Sequence, residues 1–241
     1  MAAEKLGWRN WANLAAYVVN FATTYASLTG LFGATNTDLS AKYQTLVTPA
    51  GYAFSIWGPI FIWEGIFAVT QMLAKFRSSQ LIFDMTPFWL SACAFQCAWT
   101  LAFAQEMITL AFVCMLGILA SLLAGMARSD LQPVTTSEFW LVRAPFSLHA
   151  GWIIAASAVN LCVMADRLHA APSTQLALAM LSFAAVVGLV SILSFAPRGD
   201  AIVGLVASWA LAGGMVVETL DLGPRGRVGN DPGGCSDICL L

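Results

Sequence analysis

Apolar residues gather in seven stretches of about 20 along the 241-residue chain, at 11–32, 50–73, 87–104, 108–127, 145–164, 175–195 and 201–217. Each is about as long as a helix needs to be to cross the hydrocarbon core of a bilayer. Alternation at period two is absent, and lipid offers no partner to an open backbone, so helices are the expected form. The pattern predicts an all-α, polytopic transmembrane bundle of about seven helices. Only 105–107 separate the third and fourth stretches and only 196–200 the last two, so both pairs should be tight antiparallel hairpins. The longest connector, 33–49, is rich in Thr, Asn and Ser and is long enough to fold over one mouth of the bundle as a lid.

The polar positions inside these stretches carry the chemistry. Glu64 is the one side chain within them that is formally charged at neutral pH. A carboxylate in hydrocarbon costs roughly 2.5–3.5 kcal/mol on insertion scales, so it is expected to face a protein interior and to mark a functional site. Trp57, Phe61, Glu64, Ala68 and Gln71 share one helical face by their four-three-four-three spacing. Trp89, Ala92, Gln96, Trp99 and Phe103 share another, and His149, Trp152, Ala156 and Asn160 a third, while Asn13, Tyr17, Asn20 and Thr24 line the first stretch. Should the faces converge, they enclose a cavity walled by indole and phenyl rings and dotted with few polar groups, suited to a flat, largely apolar molecule. The candidate ligand-binding set is Trp57, Phe61, Glu64, Gln96, Trp99, His149, Trp152, Ala156 and Asn160, with no catalytic and no metal residues. For His149 two readings stand: axial ligation of a tetrapyrrole metal, or the more common hydrogen bond to a neighbouring helix. Trp8, Trp11 and Trp140 lie near stretch ends and read as interface anchors. Pro59 is expected to kink the second helix and free the Ser55 carbonyl. The small-residue ridges Gly117/Ser121/Gly125, Ser147/Gly151/Ala155 and Gly204/Ser208/Ala212 suit close helix packing.

Composition agrees: 59% of residues are hydrophobic and 10% charged, against 45–50% hydrophobic in ordinary soluble domains. A net charge of −2 without a basic cluster gives no footprint for nucleic acid. Cys93, Cys97, Cys114 and Cys162 lie inside apolar runs and read as small buried hydrophobes. Cys93 and Cys97 share a helical face but lack further metal ligands nearby. No phosphate-binding glycine loop, HExxH or GxSxG is present, and the seventh stretch has no Lys for a retinal Schiff base, so a binding protein is expected and not an enzyme. Lys5, Arg9, Lys75, Arg77, Arg128 and Arg198 fall on one side, with Arg143 at a stretch edge, and Lys42 and Arg167, together with Arg225 and Arg227 of the tail, on the other. The positive-inside rule therefore puts the amino terminus on the cytoplasmic side, or its equivalent in a mitochondrion or plastid. From 220 onward Gly, Pro, Asp and Arg predominate, predicting a disordered tail.

Two blocks carry a family likeness. Thr48-Pro49-Ala50-Gly51-Tyr52-Ala53-Phe54-Ser55-Ile56-Trp57-Gly58-Pro59 resembles the Pro-and-Trp signature that opens the second helix of the TspO/translocator family, the tryptophan-rich sensory proteins. Pro145-Phe146-Ser147-Leu148-His149-Ala150-Gly151-Trp152, followed by Ala156 and Val159-Asn160, resembles the family's fifth-helix block, and Trp99 matches its third-helix Trp. The likeness covers 11–165, a five-helix core after a short segment 1–10, which makes 166–219 two additional helices ahead of the tail 220–241. The paired prolines before the signature Trp are reduced here to Pro49. The resemblance implies binding of a porphyrin-like tetrapyrrole or a sterol-like lipid inside the bundle, lined by Trp57, Trp99, Trp152, Ala156 and Asn160, with carrying or sensing as the role. Two other classes stay open: a structural subunit of a larger, pigment-bearing membrane complex, and a small-solute transporter using Glu64. The expected partners are the bilayer, a hydrophobic small molecule, and a second copy or a complex subunit.

Overall fold

The computed structural model describes residues 5–195 and 199–221, the last eight of these by backbone alone. Among the described residues there is no strand, and the long helices are α1 (Trp8–Leu28), α3 (Trp57–Thr70), α4 (Gln80–Ala104), α5 (Ile108–Ser129), α7 (Ala144–Arg167), α8 (Pro172–Phe195) and α9 (Ala201–Asp221). Two short helices, α2 (Asn36–Lys42) and α6 (Thr136–Glu138), complete the set. By length and apolarity, Gly51–Thr70, Gln80–Ala104, Ile108–Ser129, Thr136–Arg167 and Pro172–Phe195 can each cross a membrane. For α9 the described apolar part is the shorter Ala201–Gly213. Of the expected tail 220–241, residues 220 and 221 are instead the last of α9, and 222–241 lie outside the described residues.

α1 falls short of that apolarity for a physical reason: every fully buried residue on it is polar. Asn10, Asn13, Asn20, Thr24 and Ser27 face inward, while Trp8, Trp11, Val18, Val19 and Leu28 face out. In hydrocarbon this inverted arrangement is the stable one, because an inward amide finds a partner on the next helix and an outward Val finds acyl chains. Asn10 Nδ2 donates to the Gln71 carbonyl at 2.9 Å and to Gln71 Oε1 at 3.0 Å, and Gln71 Nε2 donates back to the Asn10 carbonyl at 2.8 Å. Asn13 Nδ2 donates to Thr86 Oγ1 at 3.1 Å, and Trp89 Nε1 to the Asn13 carbonyl at 3.1 Å. Tyr17 donates to the Phe61 carbonyl at 3.1 Å. A Cβ on Gly65 would lie 2.7 Å from the Tyr17 hydroxyl, so glycine is what lets α1 and α3 approach here.

These pairs fix the register. Asn10–Gln71 and Tyr17–Gly65 show α1 antiparallel to α3, whereas Asn13–Trp89 and Asn20–Cys97 show α1 parallel to α4. α4 and α5 form the expected hairpin, with the Phe95 ring 2.6 Å from where a Gly117 Cβ would sit and Ser121 Oγ donating to Ser91 Oγ at 2.9 Å. α7 is the most enclosed long helix, packed on α3, α5, α8 and α9. At Gly151 a Cβ would come within 2.9 Å of Val206 Cβ on α9, so the glycine lets that helix lie close.

Three sequence expectations need correction. Pro59 does not kink a helix. The segment Gly51–Ile56 is a 3-10 turn and α3 begins at Trp57, which puts Pro59 in the first turn, where its missing N–H would have had no intrahelical acceptor anyway. The third stretch begins not at Pro87 but at Gln80, with Pro87 inside the helix. The preceding turn persists because Ile82 and Met85 are buried and Thr86 bonds both Asn13 and the Ile82 carbonyl. The fifth begins before Pro145, as α6 runs through a π-helical segment, Phe139–Arg143, into α7. There the Ala144 N–H bonds the Phe139 carbonyl and Pro145 has no N–H, so the Trp140 carbonyl is left without a helical donor. Trp63 Nε1 takes it at 2.8 Å, with the two indoles stacked 6.0 Å apart.

Asn10→Leu should therefore destabilise the solubilised protein by about 1–3 kcal/mol, because it leaves the buried Gln71 Oε1 without its donor. Trp11→Leu, on the outward face of the same turn, should shift the unfolding midpoint far less. Thermal unfolding in mild detergent distinguishes the two.

Candidate functional site

A cavity of about 340 Å³ lies toward the α2 end of the bundle. Trp57 enters it from α3, Trp99 and Phe103 from α4, and Trp152, Ala156 and Asn160 from α7. The roof is α2, through Leu39 and Tyr43, with Thr48 and Pro49 of the connector. The far wall is Phe183 and Val186 of α8 and Ala210 and Leu211 of α9. Its lining is overwhelmingly apolar, and no Lys or Arg side chain among the described residues reaches it.

The tryptophans are held by one another and by few polar atoms. Trp57 meets Trp152 edge to face with centroids 6.2 Å apart, and Phe54 packs on Trp152 at 5.7 Å. Trp99 stacks on Phe103 at 5.1 Å and donates its indole N–H to Asn160 Oδ1 at 3.1 Å. Asn160 Nδ2 donates to the Ala156 carbonyl at 3.0 Å, which fixes the amide orientation. The indole N–H of Trp152 is buried and has no hydrogen-bond partner among the described residues. α9 steadies this wall, since Trp209 Nε1 donates to the Ala53 carbonyl at 3.1 Å and the Gly213 carbonyl accepts from Ala50 N–H at 3.2 Å.

The other sequence candidates sit elsewhere. Glu64 and His149 are both 1% exposed, with His149 Nδ1 2.7 Å from Glu64 Oε1. The Trp57 ring, edge-on to His149 at 5.8 Å, separates this pair from the cavity. His149 thus faces a neighbouring helix and not a cavity-bound macrocycle. Phe61 is turned toward α1, stacked on Trp57 at 5.7 Å and edge-on to Phe21 at 5.6 Å, and Gln96 is buried outside the cavity lining. Among the described residues, no three His, Cys, Asp or Glu side chains converge as metal ligands. Phe183 and Val186 had no sequence signal, because α8 is apolar on every side.

The connector 33–49 does fold over the mouth, as α2. Thr35 and Asp38 cap it reciprocally: Thr35 Oγ1 accepts from Asp38 N–H, while Asp38 Oδ2 accepts from the Thr35 hydroxyl at 2.7 Å and from Thr35 N–H, and the hydroxyl, followed by the N–H, holds the Asp38 carboxyl below its usual range. At its other end Lys42 and Tyr43 both donate to Glu106, in the turn between α4 and α5. The Lys42 hydrogen bond, followed by that of Tyr43, pulls the Glu106 carboxyl below the ordinary carboxylate range, and Glu106 in turn raises the Lys42 ammonium. The depressed carboxyl contributes above its unfolded-state pKa and loses that contribution as pH falls through the folded value; the raised ammonium contributes below its own unfolded-state pKa. The clasp therefore spans the neutral range and weakens in acid, modestly, because both groups are solvent-exposed. Hydrogen exchange by mass spectrometry should show α2 less protected in Glu106→Gln at neutral pH. After correction for intrinsic rates, it should also show wild-type α2 losing protection as pH drops through the Glu106 value, with little further change in the variant.

Compared with known families, residues 10–221 match the model of the TSPO-like proteins, a span that takes in α8 and α9 as well as the five preceding long helices. No curated protein and no solved structure matches the chain at a significant level. With most of its length inside that family match and five helices able to cross a bilayer, the chain is an integral membrane protein belonging to the TSPO-like family.

Proposed function

We propose that this protein binds a flat, largely apolar ligand, a tetrapyrrole or a sterol-like lipid, in the cavity beneath α2, and carries or senses it without chemically altering it. The observation that carries the reading is the meeting of Trp57, Trp99 and Trp152, from three separate helices, around one apolar hollow. Indole faces supply contact area at low entropic cost, and a few fixed polar atoms orient the guest. Here those atoms are Asn160, held by Trp99, and the unpartnered Trp152 N–H, which suits a ligand carrying a carbonyl or carboxylate oxygen. A volume of about 340 Å³ is near the lower end for such pockets, so a whole macrocycle requires α2 to move aside or leaves one edge at the mouth. The outward apolar face of α8 is what lipid contact demands and gives no separate support to a docking role.

Titration of the purified protein with protoporphyrin should quench Trp fluorescence saturably, and Trp152→Ala should weaken binding at least tenfold. Undiminished quenching after joint replacement of Trp57, Trp99 and Trp152 by Ala would overturn the proposal.

A further inference from the structure

Beside the cavity, and separate from it, the geometry points to an internal proton-binding site, the Glu64–His149 pair, which exchanges its proton with water through a polar column opening toward the α2 face and is sealed toward the opposite face by an aromatic plug. His149 Nδ1 and Glu64 Oε1 approach to 2.7 Å without the alignment of a hydrogen bond, and two bare acceptors do not rest that close, so at least one of the two carries a proton. With two protons, one on the carboxyl and the ring's own, the pair is neutral overall, the state a buried site tolerates. All four polar atoms of the pair, Glu64 Oε1 and Oε2 and His149 Nδ1 and Nε2, are buried without a hydrogen-bond partner among the described residues.

The register of α1 against α4 shows what lies next to them. Asn13 meets Trp89 and Asn20 meets Cys97, a nearly constant offset that places Tyr17 level with Cys93 and Thr24 level with Thr100. Tyr17 bonds the Phe61 carbonyl and touches Gly65, so Glu64 stands at that same level. One and two turns further toward the α2 face come Gln96 and Thr100 on α4, with Asn20 and Thr24 across on α1. All four are buried, and Gln96 Oε1, Thr100 Oγ1, Asn20 Nδ2 and Thr24 Oγ1 each lack a hydrogen-bond partner. Buried polar atoms in a row, on facing helices, and unpaired are the setting in which ordered water completes the bonding. From Glu64 the row climbs about 10 Å at 1.5 Å per residue and ends one turn short of where α4 stops at Ala104.

Toward the other face the same three helices close completely. Phe67 lies one turn along α3 from Glu64, Phe146 one turn back along α7 from His149, and Trp89 one turn back along α4 from Cys93. Their ring centroids are 5.4, 5.5 and 5.6 Å apart, and none is more than 1% exposed. A third proton, arriving along the column at the carboxyl as one passes on to the bare ring nitrogen, turns the neutral acid–imidazole pair into a carboxylic acid beside an imidazolium; its return by the same column restores the neutral pair. The other titratable groups near the pair are Tyr17 of α1 and Cys93 of α4, both within the electrostatic reach of Glu64. Arg143, in the π segment, is committed to Asp200 and Ser147.

The chain has two histidines, His149 and exposed His169, so 15N-histidine labelling with His149→Asn as the blank identifies the His149 ring protons. In deuterated buffer the wild-type ring N–H should exchange, and in Gln96→Leu/Thr100→Val it should exchange at least tenfold more slowly at unchanged thermal stability. If that double variant does not fold, Thr24→Val, which keeps the side-chain shape, should slow exchange several-fold. An unchanged rate in the folded variants, or a wild-type His149 proton that never exchanges, would overturn the inference. No hydrophobic ligand enters the measurement, so its failure leaves the cavity reading untouched.

Discussion

Hydrocarbon offers no hydrogen bonds, and that constraint organises this protein. Polar side chains in a membrane-crossing helix are driven to the bundle interior, so on α1 the Asn10 and Asn13 amides turn inward to Gln71 and Thr86, and the Tyr17 hydroxyl to the backbone of α3. With the polar seam closed, register is set: a slip of one residue along α1 would carry Asn10, Asn13 and Asn20 into lipid. The same demand draws Glu64 to His149 and Trp99 to Asn160. The positions of the tryptophans around the cavity follow from these few bonds more than from apolar packing, which is similar inside and outside the bundle.

The interior divides into two compartments that share one wall. On one side of Trp57 lies an apolar hollow roofed by α2; on the other lies a carboxylate–imidazole pair with a line of buried polar atoms above it and three packed rings below. The indole is half-buried and touches both, stacking on Phe61 and standing edge-on to His149 and Trp152. A guest that displaced it would act on the pair without touching it. α9 adds a brace outside, through Trp209 and the carbonyl of Gly213, to the turn from which Trp57 emerges.

Much of the helical plan was legible because apolar length and helical periodicity are local properties. The faces of Trp57/Glu64, Gln96/Trp99 and His149/Asn160 could be read because residues three and four apart share a side. Which faces meet could not. One helix face spans enough arc for Trp99 to reach the cavity while Gln96, three residues earlier, is buried outside it, and only packing decides that. Pro59 and Pro145 were misplaced for a related reason: a proline marks a first turn or a break equally well, and the π turn that absorbs Pro145 depends on Trp63 of another helix accepting the role of donor. α8 carried no periodic signal at all, so Phe183 and Val186 could not be foreseen as cavity wall.

The central claim is that the indoles of α3, α4 and α7 look inward while the outer surface belongs to lipid. Single-tryptophan variants reconstituted in bilayers with bromine at several depths along the acyl chains test it directly, since bromine quenches only rings in contact with lipid. Proteins retaining Trp99 or Trp152 alone should keep nearly all their emission, and one retaining Trp11 alone should lose most of it. Quenching of Trp99 and Trp152 as strong as that of Trp11 would contradict the account.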